Sequence, residues 1–368
     1  MGNIRLNRRK FLKYSALAGA TVLAGSSLAG CLGRETKPIE IGAIISVTGD
    51  LGSYGGPILN GALLAVKQVN AKGGVLGRKL KVIHEDDHTD PQSSVQGMKK
   101  LAEINKVPAV VGALGSSSTK SIIPIGKANK VVVISPSSTA VDLSSADDGG
   151  YFFRTAPRDD IQAQALCKVS TEMGFKKISH IYINNDYGVG MNKFIANILP
   201  TVGGELVAEV AYNTKQSSYK SELGLASAKN PEVIILTGYP EYGGLILKQA
   251  KELGIESQWV LAEGMKDPKL VEDLGAGLLE GVVGTAPLTL TTPEALAFKE
   301  AFKAEFNADP GVYSDTAYDA ARLTALAIEK AGKAEGPAIM DVLREVSLGY
   351  TGASGSVDFD ENGDVAGD

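Results

Sequence analysis

Val107-Pro108-Ala109-Val110-Val111-Gly112 and Asn230-Pro231-Glu232-Val233-Ile234-Ile235 are two versions of one pattern, and together they decide the fold. The first leads into a Ser-rich loop, a helical stretch, then Val131–Ile134 and a second polar loop. The second leads into Thr237–Glu241, a helical stretch, then Trp259–Leu261 and Ala262-Glu263. Each is a β-loop-α-β-loop unit, and the second loops fall at similar distances from the first. In an open parallel sheet the loops at the carboxyl ends of strands line the ligand crevice. Two such units facing one another make a cleft between lobes.

Working outward, β-branched runs keep alternating with helical patterns, which argues parallel sheets covered on both faces. Ile39–Val47 opens the strand series, and Lys79–Ile83, Ala109–Ala113, Ile178–Ile183, Leu206–Tyr212 and Val233–Leu236 continue it. A helix is expected from about Pro57 to Ala71, with Ile58, Ala62, Ala65 and Val69 on one face. Asp90-Pro91 is a helix start, a carboxylate at the cap and a proline in the first helical position. The fold class is therefore α/β, with two Rossmann-like doubly wound lobes.

The first thirty residues carry five basic side chains, Arg5, Arg8, Arg9, Lys10 and Lys13, and no acidic one. An Ala/Gly/Ser-rich stretch from Tyr14 to Gly30 follows, so residues 1–30 read as an export signal outside the fold. Arg8-Arg9-Lys10-Phe11-Leu12-Lys13 resembles a twin-arginine signal, with Asn7 where Ser or Thr is commoner. Leu28-Ala29-Gly30-Cys31 resembles a lipobox, in which cleavage exposes Cys31 and its thiol takes the lipid. Acylation at Cys31 would hold the domain at the outer face of the cytoplasmic membrane without a spanning helix, with 31–38 as leash. The whole chain has a net charge of −5, so without the signal the remainder stands at about −10. An acidic domain of that kind is no nucleic-acid binder. Cys167 is the other cysteine of the two in the chain, so the exported domain has no disulfide and rests on its cores.

Two loop segments carry candidate recognition chemistry. Ser116-Ser117-Ser118-Thr119 opens a helix, where hydroxyls and free backbone amides can hold a carboxylate; plain helix capping is the alternative. Glu263 follows a strand directly and can pair an ammonium group, with solvent exposure as the alternative. A zwitterionic amino acid needs both kinds of partner, because an unpaired buried charge is very costly.

At these residues the chain resembles the Leu/Ile/Val-binding branch of the type I periplasmic binding proteins, over essentially all of 39 to 366. The resemblance rests on Asn60-Gly61-Ala62, Asn70-Ala71-Lys72-Gly73-Gly74, Asp86-Asp87 with Asp90-Pro91, and Gly112-Ala113-Leu114-Gly115-Ser116-Ser117-Ser118-Thr119. It continues through Ile134-Ser135-Pro136, Asp186-Tyr187-Gly188-Val189-Gly190, Thr237-Gly238-Tyr239-Pro240-Glu241, Ala262-Glu263-Gly264 and Phe359-Asp360-Glu361-Asn362-Gly363-Asp364. It implies the type I periplasmic-binding-protein fold with a three-segment hinge, near Phe153–Pro157, Gly284–Pro287 and Tyr350–Gly355. The boundaries it suggests are 39–155 with 287–350 for the first lobe, and 156–286 with 351–368 for the second. It further implies that Ser116 and Thr139, with backbone groups of Leu114 and Ser137, bind the α-carboxylate and help hold the ammonium, and that Glu263 is the acidic partner. Tyr54, Tyr187, Tyr239 and Tyr313 match aromatic residues around the ligand. Thr89 and Gly115 stand where family members often carry a disulfide, and Gly115 should widen the side-chain pocket. The chain stops at Asp368, where another strand of the second lobe is expected. The implied function is a monomeric, lipid-anchored receptor for a branched-chain or other small apolar amino acid, serving an ABC transporter permease and needing no cofactor.

Other signals read as structural. His84-Glu85-Asp86-Asp87-His88 lies at a strand end and loop, without a helical face to bring its histidines together on a metal. Asp358-Phe359-Asp360-Glu361-Asn362-Gly363 starts like a calcium loop but is better taken as an Asn-Gly hairpin turn. Gly188-Val189-Gly190 lacks the third glycine of a dinucleotide fingerprint, and Ser116 has no G-x-S-x-G elbow. Cys167 reads as a buried small apolar residue in a helix. Two other functions stay open on the sequence. One is the same fold holding an amide, urea or small organic acid; the other is an exported α/β enzyme.

Overall fold

The computed structural model describes residues 37–366, so Arg8, Arg9 and Cys31 lie outside the described residues. The first sheet is built from β1 (Ile39–Ile44), β2 (Leu80–Glu85), β3 (Ala109–Gly112), β4 (Val132–Ser135) and β5 (Phe152–Arg154). Its strands are parallel and ordered β2-β1-β3-β4-β5. The second sheet uses β6 (Lys177–Ile183), β7 (Glu205–Tyr212), β8 (Val233–Thr237), β9 (Gln258–Leu261) and β10 (Val283–Gly284). Its order, β7-β6-β8-β9-β10, is the same topology repeated, again all parallel. The sequence echo joins equivalent strands, because β3 and β4 hold the same places in the first sheet as β8 and β9 in the second. Strands buried on both faces need continuous apolar runs, and both β3 and β8 are buried at every residue.

The helices of the first half are α1 (Gly52–Ala71), α2 (Pro91–Lys99) and α3 (Ser116–Asn129). Beside the second sheet lie α4 (Asp159–Glu172), α5 (Asp186–Ile198), α6 (Lys220–Ser227) and α7 (Pro240–Glu252), then the short α8 (Pro268–Leu274) and α9 (Ala276–Leu279). The chain continues through α10 (Pro293–Phe306), α11 (Ser314–Ala331) and α12 (Gly336–Ser347), then a hairpin of β11 (Thr351–Gly352) and β12 (Gly355–Ser356). Asp90 caps α2 as expected, its carboxylate accepting from the Ser93 N–H at 2.8 Å. The α1 and α11 backbones pack closely because residue 61 has no side chain: a Cβ there would lie 2.0 Å from the Ser314 carbonyl oxygen. Among the described residues no helix is long and apolar enough to cross a membrane.

Two expectations need correcting. Helix α1 begins at Gly52, five residues before Pro57, so the proline lies inside the helix and forgoes one backbone bond. A turn at Gly49–Gly52 starts it, with the Gly52 N–H donating to the Gly49 carbonyl at 2.9 Å. Tyr54 therefore stands on a helix, one turn before Ile58 and on the same face. The second correction concerns the C-terminal stretch 351–368, which the family resemblance places in the second lobe. The Arg154 N–H donates to the Gly363 carbonyl at 2.9 Å, beside β5 of the first sheet. Phe359 meets Phe153 with ring centroids 5.1 Å apart. Asp364 accepts from the Arg154 Nε at 2.7 Å, with both side chains essentially inaccessible to water. The described part of this tail completes the first lobe. A buried ion pair and an aromatic contact hold it there.

Phe359 and Val365 form an antiparallel bridge around a turn in which Gly363 has φ +77°, a hairpin turn reduced to a single bridge. His84 is bonded to the Ile45 carbonyl at 2.8 Å, and His88 to Thr48 and Asp86. Cys167 is fully buried in α4. The hairpin that follows α12 is clasped by buried Asp319 of α11, which accepts from the Tyr350 hydroxyl and from the Ala353 and Ser354 N–H groups at 2.7–3.0 Å.

Candidate functional site

The loops at the carboxyl ends of the two sheets face each other across a cavity of about 390 Å³, counting its mouth. All ten residues expected in the cleft line it: Tyr54, Leu114, Gly115, Ser116, Ser137, Thr139, Tyr187, Tyr239, Glu263 and Tyr313. Leu51, Ile58 and Gly264 line it as well and were not foreseen from sequence. The first two become legible only once α1 is extended back to Gly52, which puts Ile58 four residues after Tyr54.

One end of the cavity is made by the loops after β3 and β4. The Ser135 and Ser138 hydroxyls donate to the Ala113 carbonyl at 2.7 and 3.3 Å, and the Ser137 hydroxyl to the Leu114 carbonyl at 3.0 Å. The Ser116 hydroxyl accepts from the Ala140 N–H at 3.2 Å and so ties the two loops together. The Ser run does not cap its own helix. The cap position of α3 is Gly115, with no side-chain bond to the first-turn amides. That leaves a fourteen-residue helix presenting unpaired N–H groups and the positive end of its dipole at the cavity. Gly115 leaves limited room: a Cβ there would sit 3.5 Å from Leu51 Cδ1 and 3.9 Å from Thr89 Cγ2, ordinary contact distances. Positions 89 and 115 are thus neighbours.

The other end is acidic. Glu263 is 5% exposed, which removes the solvent-exposed alternative. Its carboxylate accepts from the Tyr187 hydroxyl at 2.7 Å and the Tyr313 hydroxyl at 3.3 Å, and its N–H donates to Gln162 Oε1 at 3.0 Å. Burial raises the Glu263 carboxyl above its ordinary range, while the bonds from Tyr187, Gly264, Gln162 and Tyr313 act the other way. Burial also pushes the Tyr187 and Tyr313 phenols well up, and the Glu263 charge adds to it, so both remain protonated donors. Tyr187 and Tyr239 stack with centroids 5.9 Å apart and planes 9° from parallel, forming one wall. Tyr313 stands at the start of α11 with φ +66°, a left-handed conformation costing a bulky residue about 1–3 kcal/mol. The cavity residues include one carboxylate and no lysine, arginine or histidine.

Bonds across the cleft join the halves. The Tyr54 hydroxyl donates to the Gly264 carbonyl at 3.0 Å, and the Tyr242 hydroxyl to Asp50 at 3.0 Å. Asp186, in the first turn of α5, accepts from the Ser117 hydroxyl at 2.6 Å and the Lys120 ammonium at 2.5 Å.

The sequence profile of the family described as "Periplasmic binding protein" matches residues 38–367. The chain is 30% identical to the leucine-, isoleucine-, valine-, threonine- and alanine-binding protein of Pseudomonas aeruginosa, over 96% of this chain and 93% of that one. It superposes with TM-score 0.81 and 27% identity on a branched-chain amino acid transporter substrate binding protein from Streptococcus pneumoniae, in complex with isoleucine. That match covers 89% of this chain and 94% of the other. An ABC transporter substrate-binding protein from Desulfitobacterium hafniense in complex with Leu gives TM-score 0.73 at 26% identity, again over 89% and 94%. With two identically wound sheets, facing carboxyl-end loops and this likeness along its whole length, the chain belongs to the type I periplasmic solute-binding proteins of the Leu/Ile/Val-binding family, extracytoplasmic receptors rather than enzymes.

Proposed function

We propose that the cavity holds a branched-chain or other small apolar amino acid for delivery to the permease of an ABC importer, from a monomer tethered through lipid on Cys31. One observation supports this above the others. A buried carboxylate and an uncapped helix N-terminus line the same cavity, together with apolar Leu51, Ile58 and Leu114 and no basic side chain. An ammonium group suits Glu263 and a carboxylate suits the amides and hydroxyls around Ser116 and Thr139. An amide, urea or simple organic acid would bring no cation to Glu263. Mass spectrometry of the small molecule released on denaturing the purified protein, followed by calorimetry with leucine, isoleucine, valine and alanine, tests the assignment. Release of an apolar amino acid with matching affinity supports it; a ligand without an amino group overturns it.

Closure is expected to depend modestly on the bonds at Asp186. Lys120 and Asp186 are half and about one-third exposed, so the pair is worth about 1 kcal/mol or less. Asp186→Ala should weaken ligand binding by at most roughly fivefold, and small-angle scattering should show the ligand-free variant more open. An unchanged open fraction would place closure in the buried contacts alone.

A further inference from the structure

Asp159, the first residue of α4, is completely buried and lies outside the cavity wall. Its N–H donates to the Thr139 carbonyl at 2.9 Å, behind one end of the site. Its Oδ1 accepts from Gln162 Nε2 at 3.3 Å, and Gln162 Oε1 in turn accepts the Glu263 N–H, behind the other end. Its Oδ2 is buried and makes no hydrogen bond of ordinary distance and angle, although the Thr139 hydroxyl lies near enough to act on the carboxyl. We propose that Asp159 is a positioning acid of the ligand site, and that the pair it forms with Glu263 gives up a proton to solvent when an ammonium-bearing ligand binds. This rests on the amino-acid reading above.

The charges around Asp159 leave it without a cation of its own. Arg154 is the basic group that acts on it, but that guanidinium is bonded to Asp364, to the Ser138 and Ala140 carbonyls and to Ser144. Asp160, next on the same helix, is paired with Arg158 at 2.7 Å. From the other elements the site offers Glu263 and the neutral phenols of Tyr187, Tyr239 and Tyr313. A carboxylate in that position is costly as an anion, and two buried acids joined through Gln162 resist ionising together. Burial raises Asp159 far above the usual range and the Glu263 charge adds to it, against the Thr139 hydroxyl and Arg154. With the cavity empty, the pair keeps one proton. An ammonium beside Glu263 supplies the missing positive charge, both acids ionise, and the proton leaves.

The sign follows from linkage: a proton released on binding makes affinity rise with pH, by up to about tenfold per pH unit. Calorimetry with leucine, in two buffers of different ionisation enthalpy and well below the titration of leucine's own ammonium, reads the proton directly. Wild-type protein is expected to release close to one proton per leucine where the pair is protonated. Asp159→Asn, which still accepts from Gln162 but cannot ionise, should bind leucine with a flat pH profile and no proton release. Leucine binding to wild type without proton release at any pH would overturn the inference, whether or not the variant folds. So would equal release from wild type and Asp159→Asn. Failure of any amino acid to bind the wild type is a different result, removing the amino-acid reading and this inference with it.

Discussion

Glu263→Gln is expected to weaken amino-acid binding by about 2–5 kcal/mol, a loss of roughly 30-fold to several thousandfold. The substitution keeps the size of the side chain, and its amide oxygen can still accept from one of the Tyr187 and Tyr313 hydroxyls, which reach different oxygens of the carboxylate. What it removes is the sole negative charge on the cavity wall. The ligand's ammonium would then be buried against neutral oxygens and would forgo a charge-assisted bond. The ligand-free variant should be no less stable than wild type, because the buried carboxylate is itself costly there. Titration calorimetry on both proteins, with thermal melts as a control, separates the two effects. Unchanged affinity in a folded variant would take Glu263 out of the ammonium site.

The second large effect is expected behind the cavity wall. Asp364→Ala should destabilise the protein by about 3–5 kcal/mol, because it leaves the Arg154 guanidinium buried and unpaired. Arg154 also donates to the Ser138 and Ala140 carbonyls, at 3.2 and 2.8 Å, which flank Thr139 in the cavity wall. Ligand affinity should therefore fall along with stability. Replacing both partners with apolar residues of similar size, Arg154→Met with Asp364→Leu, should recover much of the stability, since neither charge then needs solvation. It should not recover the affinity, because the two carbonyls lose their donor. Urea midpoints and leucine affinities of the three proteins test this. A single variant as stable as wild type would rule out a buried, essential pair. Exposed pairs such as Lys269–Asp273, with both side chains more than half exposed, should change stability by less than about 1 kcal/mol when broken.

The parts of the fold legible in the sequence are those with local causes. Val110-Val111 and Ile234-Ile235-Leu236 are strands because only continuous apolar β-branched runs suit a sheet buried on both faces. Their repeat with a loop, a helix and another strand matches the topology that the two sheets share. The cleft residues were legible for a different reason, the resemblance of the segments around Leu114–Thr119 and Ala262–Gly264 to known binding proteins. Local signals failed where tertiary structure overrides them. Pro57 looks like a helix start, yet the turn at Gly49 begins α1 earlier. Asp159 looks like an acid complementing a helix dipole, and nothing in its neighbourhood announces Glu263, about a hundred residues away, bridged through Gln162. The stretch 351–368 is given to the second lobe by the family resemblance, and the partner that holds its described part, Arg154, leaves no trace near Asp364.

That partnership spans 210 residues of chain and sets an order of events during synthesis. A ribosome that has passed Arg154 goes on to make the whole of the second sheet before Asp364 emerges. The second sheet with its helices, from Asp159 to Gly284, is one uninterrupted stretch and can fold as it appears. The first cannot finish until Asp364 is joined, and until then Arg154, which holds the 138–140 loop, lacks its buried partner. The receptor is thus built from the middle outward, and the half made first is the last to become able to bind.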